Sequence, residues 1–349
     1  LLIIAVALEF GLAACSNQLK KELVATQNTE TKQIMNTTLE WAPGVCAPKL
    51  YPVEVYRGDF YTDNDWLSIP NGGIVEAGWG DNGMNMGEGS LIPDGFSITY
   101  FSYLENKFYT GKFALPKEQI KELFEKGLIG YRTKKYVTYD AMIVGMAPGG
   151  VLVVWMMSRD NQIEIGRYQA SETDLEWEIF NPRIRIENKN EYVSGVVSRR
   201  PNALANFKKN GLMLGLWDTY RIKYSWRPVF EFPAGSKVDH IDMKMYNGEE
   251  DLLWGEALTA NAFVPRAITW RTTMLFFDET GQDYGADIDF DEAEIFEAYK
   301  QIYRNDKEQD GELVFKYNDN RSSLIILLRN KTEEIELRKC KIGIFKRTK

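Results

Sequence analysis

Apolar and polar positions along this chain follow two periods. Val53, Val55 and Ile163, Ile165 alternate with polar neighbours, the period of a strand buried on one face. Ile98-Thr99-Tyr100-Phe101, Val151-Leu152-Val153-Val154-Trp155-Met156 and Leu324-Ile325-Ile326-Leu327-Leu328 are nearly unbroken apolar runs, the pattern of strands buried more completely. Two segments have the helical period instead. The first starts at Pro116, carries Ile120, Leu123 and Phe124 on one face and stops at Gly127. The second has Asp291 as N-cap, Glu294 three residues on, and Ile295, Tyr299 and Ile302 along one face. Strands therefore dominate, with a few helices, which predicts an α+β layer architecture.

The pattern repeats. Phe96-Ser97-Ile98-Thr99-Tyr100 is echoed by Arg266-Ala267-Ile268-Thr269-Trp270 at an offset of 170 residues, and the two helical segments follow at about 175. Val151–Met156 matches Ser323–Leu328, and Ile163–Arg167 matches Ile335–Lys339, both at an offset of 172. Each pair encloses a polar turn, Ser158-Arg159-Asp160-Asn161 or Asn330-Lys331-Thr332, and reads as a hairpin. The expectation is two tandem related units, 49–181 and 218–349, each an antiparallel sheet with one covering helix. Between them, Pro182, Asn188, Asn190, Pro201 and Asn202 break the periodicity, and 182–217 is expected to be a connector.

The first residues, Leu1 to Cys15, form an apolar stretch followed by small residues, as in a secretory leader that begins further upstream with its basic residues. The stretch is shorter than the roughly 20 apolar residues a bilayer span needs. Leu12-Ala13-Ala14-Cys15 resembles the bacterial lipobox, in which a peptidase cuts before a diacylated cysteine, so Cys15 is expected to carry lipid. Ser16 in the next position resembles the sorting pattern for the outer membrane, which points to a lipid-anchored protein facing the periplasm. Residues 16–48 begin as a polar stretch without sustained period and are expected to act as a tether, with a reach of roughly 30 Å.

Composition narrows the chemistry. With 42 Lys and Arg against 50 Asp and Glu, the net charge is −8, which excludes a nucleic-acid-binding role of the usual basic kind. A single histidine, His240, sits between Asp239 and Asp242 in Val238-Asp239-His240-Ile241-Asp242; it is either a general base or an ordinary strand residue. No GxSxG nucleophile elbow and no phosphate-binding GxxxxGK[ST] is present. Asp278, Asp283, Asp287, Asp289 and Asp291 cluster before the second helix, but Glu292 stands where a calcium loop starting at Asp287 needs glycine, so no metal and no cofactor is expected. With Cys15 lipidated, Cys46 and Cys340 remain, either as a bridge closing the two ends in an oxidising compartment or as two separate thiols. Residues 71–95 hold eight glycines, with Glu76, Trp79, Asp81, Met84, Met86 and Glu88 interspersed. Such a segment is either a solvated connection or a partner-binding loop, and these six residues are the partner-binding candidates. The 45 aromatic residues mostly fall at strand positions and are expected in the core.

Several segments together resemble a known family: Tyr51-Pro52-Val53-Glu54-Val55-Tyr56, Pro70-Asn71-Gly72-Gly73, Trp79-Gly80, Pro93-Asp94-Gly95, Leu104-Glu105-Asn106-Lys107-Phe108-Tyr109, Met146-Ala147-Pro148-Gly149-Gly150 and Trp217-Asp218-Thr219-Tyr220-Arg221. They are similar to an uncharacterised bacterial lipoprotein family, domain of unknown function 2931, over most of Tyr51 to Pro233, with the Ala-Pro-Gly-Gly turn as the most specific part. The resemblance implies no enzyme activity. Some lipoproteins of this kind are encoded near type VI secretion effectors, which implies an immunity role. The expectation is thus a non-enzymatic, protein-binding envelope lipoprotein. The alternative is an envelope glycan-binding protein or carboxylate-dependent hydrolase, which requires an acid pair across a cleft lined by Trp or Tyr, one acid being desolvated.

Overall fold

The computed structural model describes residues 39–81, 84–85 (backbone only), 87–317 and 323–347; the leader, Cys15, most of the tether and Met86 lie outside the described residues. Strands make up 43% of the described residues and helices 21%, so the described part is mostly β with a few helices, as an α+β chain should be.

Why the apolar runs are so nearly continuous becomes clear from their neighbours. In Val151–Met157, Leu152, Val154 and Met156 point into one core, while Val153 and Trp155 point into a second core on the opposite face. A strand covered on both sides has no solvent face on which to place polar residues. The first core lies between two sheets. Val53, Val55, Phe60, Phe96, Ile98 and Tyr100 come from one and Met142, Val144, Leu152, Val154 and Met156 from the other, with Ile120 and Phe124 of helix Lys117–Lys126 added. The second half is built in the same way. Met243, Met274, Phe276 and Ile288 face Leu313, Phe315, Ile326 and Leu328, with Ile295, Tyr299 and Ile302 of helix Glu292–Ile302 alongside. Each half is therefore a two-sheet sandwich, where the alternation alone suggested one sheet under one helix; the unbroken runs need cover on both faces.

The two halves have the same strand order. In the first, Ala42–Cys46, expected to be tether but buried as a strand of the sheet, pairs in parallel with Ala141–Ala147, which continues antiparallel through Val151–Met157 to Asn161–Gln169. In the second, Tyr224–Glu231 pairs in parallel with Gly311–Tyr317, which continues through Leu324–Arg329 to Glu334–Glu336. The other sheet of the first half runs Trp66–Ser68, Val53–Tyr61, Gly95–Ser102, Lys107–Ala114, Ser171–Thr173. Its counterpart runs Glu250–Trp254, Lys237–Met245, Thr269–Phe277, Asp283–Asp289, Lys341–Lys346. Gly95–Ser102 thus corresponds to Thr269–Phe277, a few residues beyond the segment matched by sequence. The halves join head to tail. Asn161 pairs with Asp251 and Gln162 with Glu250, so one sheet of each half merges into a single ten-stranded sheet.

The connector is helical rather than irregular. Pro201 opens helix Pro201–Asn210 at its first position, where its missing N–H costs nothing, and Asn188 immediately precedes helix Lys189–Ser198. Val193 and Val196 pack with Trp177 against Phe101 and Phe108 on the outer face of the first small sheet. The hairpin turn at Pro148–Gly150 forms as its residues dictate, with Gly149 at φ 77°. Asp291 caps the second helix by accepting a 3.0 Å hydrogen bond from the Glu294 N–H.

Phe276, fully buried against Phe232, Tyr284 and Tyr317, tests the second core. Phe276→Ala should lower the unfolding free energy by about 3–5 kcal/mol in urea titrations, and a loss below about 1 kcal/mol would contradict this packing.

Candidate functional site: the seam between the halves

The glycine-rich segment is where the halves touch. Gly80 has φ 80°, and a Cβ on it would lie 2.5 Å from the Gly248 Cα, so two turns from opposite halves meet backbone to backbone. Gln162 Nε2 donates to both turns, at 2.7 Å to the Gly80 carbonyl and 2.6 Å to that of Gly248. Trp155 Nε1 donates to the Asn247 carbonyl at 3.2 Å. Trp79 stands edge-on to Trp155 with ring centroids 4.9 Å apart, and lies 5.3 Å from Trp217. Trp217 belongs to helix Leu216–Tyr220, which bridges the seam: Tyr220 donates to Glu292 at 2.6 Å, and Arg221 pairs with Glu164 at 2.6 Å.

Of the six partner-binding candidates, Glu76, Trp79, Asp81 and Glu88 are described with their side chains, and these four have different surroundings. Glu76 accepts from Arg200 at 2.7 Å and Trp79 is half-buried in the seam, while Asp81 and Glu88 are exposed. Met84 pairs through its backbone with Val45, and Met86 lies outside the described residues. The sulfurs of Cys46 and Cys340 are not bridged. Cys46 is fully buried beside Ile143 and Trp155, whereas Cys340 packs on the second core. Burial pushes both thiols up to about 12, which suppresses the thiolate that disulfide formation needs. The acidic cluster is dispersed as well. Asp278 accepts from Thr280 and Gln282, Asp283 pairs with Arg347, and Asp287 and Asp289 pair with Arg271. Among the described residues, no group of three or more His, Cys, Asp and Glu is placed to hold a metal ion.

A second constellation at the seam gathers around Asp239 and His240, the acid–histidine pair noted in the sequence, and adds residues of the first half that have no signature there. The turn of residues 130–135 in the first half is closed by Gly130–Lys135 and Lys134–Gly130 backbone hydrogen bonds of 2.8 Å, and the Tyr131 N–H donates to Asp160 at 2.7 Å. This turn reaches the second half. The Tyr131 hydroxyl donates to Asp239, which also contacts His240 Nδ1 at 3.0 Å. Asp239 is accessible because the ladder slips between Val238 and His240, leaving it at a bulge. The Tyr131 ring lies 4.3 Å from the His240 ring, and Lys134 Nζ lies 3.7 Å from the centroid of Trp254. Asp239 and Trp254, with Lys237, Glu256, Leu258 and Thr259, line a cavity of about 660 Å³.

Electrostatics decide what this cavity can do. Burial would raise the Asp239 carboxyl, but hydrogen bonds from Tyr131 and His240 and the nearby charges outweigh it and hold the group below the ordinary aspartate range. The Tyr131 phenol is pushed up to about 12 by burial and by its bond to Asp239. The pair thus offers a fixed anion and a neutral hydroxyl, which suits binding better than acid catalysis.

Two strand positions from His240, Asp242 is in the opposite state. Burial, and then the charge of Glu250, push its carboxyl up to about 7 against the pull of Lys244. A raised folded pKa means the native state holds the proton longer, so stability falls as pH rises from about 4 to about 7. Asp242→Asn should remove this slope. In urea titrations the variant should gain stability over the parent between pH 4 and pH 8, whereas a constant gap would count against the burial of this carboxyl.

Sequence comparison matches residues 25–215 to the profile of a family described as a protein of unknown function, DUF2931. No curated protein and no solved structure matches the chain. The match spans the first sandwich, the Ala-Pro-Gly-Gly turn and the connector helices up to Gly215, which is more than half of the sequence. The chain belongs to the DUF2931 family.

Proposed function

We propose that this chain is a lipid-anchored envelope protein that binds another protein without catalysing a reaction, acting as an immunity protein against a secreted effector. The anchor in this reading is Cys15, held at the outer membrane facing the periplasm. Among the described residues, no helix is long and apolar enough to cross a membrane. The observation that carries the binding role lies in the connector. Helix Leu216–Tyr220 is fixed by Trp217 and Tyr220, yet Leu214 just before it is 65% exposed and Ile222 just after it 49% exposed. Leu214 leans towards Gly149 of the Ala-Pro-Gly-Gly turn, where a Cβ would meet its Cδ2 at 2.8 Å. Large apolar side chains held out on a rigid support are what a protein partner needs as anchors. We also infer that the two halves arose by duplication of one sandwich, supported by their shared strand order; profiles built separately from each half should then detect one another among relatives.

The alternative of a glycan-binding protein or carboxylate-dependent hydrolase has support from Asp239 and Glu256 beside Trp254. Asp239, held ionised, suits the nucleophile or base of such a pair, but Asp242, the carboxyl pushed up to about 7, is not part of the cavity lining, which weighs against the hydrolase form.

Two measurements test the proposal. Cys15→Ser should abolish incorporation of a palmitate analogue and release the protein from membranes; continued labelling sinks the anchor. Leu214→Glu should weaken binding to a secreted effector that the parent chain binds by about tenfold or more, with the thermal midpoint unchanged. Equal affinity would remove the connector from the interface.

A further inference from the structure

Lys134 is an ammonium held by aromatic rings. Its Nζ lies 3.7 Å from the Trp254 centroid and 4.3 Å from that of Tyr131, and its charge also helps to hold Asp239 ionised. Its backbone sits at φ 55°, in the left-handed region that a lysine rarely adopts, so the turn is held against its own preference to place this side chain. Beside the rings is the cavity, a half-open cleft of about 660 Å³, far larger than an inorganic ion requires and within the size range of small-molecule sites. Its charged lining is Asp239 and Glu256 against Lys237, one net negative charge, while Arg132 and Arg347 act on the Tyr131 end from outside the lining.

We propose that this cavity binds a small organic ammonium compound, whose cationic head replaces Lys134 on the rings of Trp254 and Tyr131 while its body lies in the cavity. Lys134 is the resident occupant that such a ligand displaces. Aromatic faces attract a cation through their quadrupole, and the carboxylates add a long-range pull. The rings come from different halves, Tyr131 from the first and Trp254 from the second, so the ligand would read the seam. This inference does not depend on the protein-partner reading, since Leu214 and Ile222 are not part of the cavity lining.

Choline and its uncharged carbon isostere, 3,3-dimethylbutan-1-ol, test this with the full chain by calorimetry and ligand-observed NMR. Choline should bind Lys134→Ala about fivefold or more tighter than the parent chain, because the competing ammonium is gone. The isostere should not bind, and Trp254→Leu should lose choline binding. Glu256 is exposed, so Glu256→Gln leaves the fold intact and should weaken choline about threefold; it decides the matter if Trp254→Leu fails to fold. Equal choline affinity in Lys134→Ala and the parent, binding of the isostere as tight as choline, or absence of saturable binding to Lys134→Ala would each overturn the proposal.

Discussion

The structure depends on a short strand junction made by polar residues. Asn161 and Gln162 of the first half pair with Asp251 and Glu250 of the second, and the Gln162 amide ties the Gly80 and Gly248 turns on either side. Two paired residues would be a weak link alone. What makes the junction hold is the exclusion of water around it. Trp79, Trp155 and Trp217 pack over the first half, Tyr220 and Tyr246 continue the cluster towards the second, and Gln162 is itself buried. Hydrogen bonds in such a site gain strength from the low dielectric, and losing either partner leaves a buried polar group unsatisfied.

The head-to-tail joining has consequences on both faces of the ten-stranded sheet. On one face it leaves two separate cores, each closed by its own small sheet and helix. On the other, the first half is apolar and covered by the glycine-rich segment and helix Leu216–Tyr220, while the second half presents His240, Asp242, Lys244, Arg271 and Asp287. The glycines at positions 80 and 248 allow the close approach, and the neighbouring tryptophans fill the space beside it. The constellation of Tyr131, Lys134, Asp239, His240 and Trp254 exists only because the halves are held in this register.

Much of the local structure was legible. The hairpins, the Pro148–Gly150 turn, helix Lys117–Lys126 and the Asp291 cap all follow from apolar period and from residues whose backbone preferences are strong. The second sheet of each half was not, because an unbroken run such as Val151–Met157 shows that both faces are covered without saying by what. The connector misled for a related reason: Pro201 and Asn188 mark helix starts as readily as loops, and only Val193 and Val196 docking on Phe101 and Phe108 distinguishes the two. The seam was least legible. Asn161, Gln162, Glu250 and Asp251 resemble any solvated edge, and Tyr131 and Trp254 are 123 positions apart with no motif around either. The glycine-rich segment stands out in the sequence as a loop, without a sign that Gly80 within it serves a close backbone approach to Gly248.

The claim that one sheet unites both halves is tested most directly by calorimetric unfolding of the parent chain and of Gly248→Val. Valine at this position must place a branched Cβ at a φ of 88°, about 3 Å from Trp155 and Gly80, and so should open the seam without touching either sandwich core. The account predicts one cooperative transition in the parent and two separated transitions in the variant. Two transitions already present in the parent, and unchanged by Gly248→Val, would show that the halves are independent and that the seam holds nothing together.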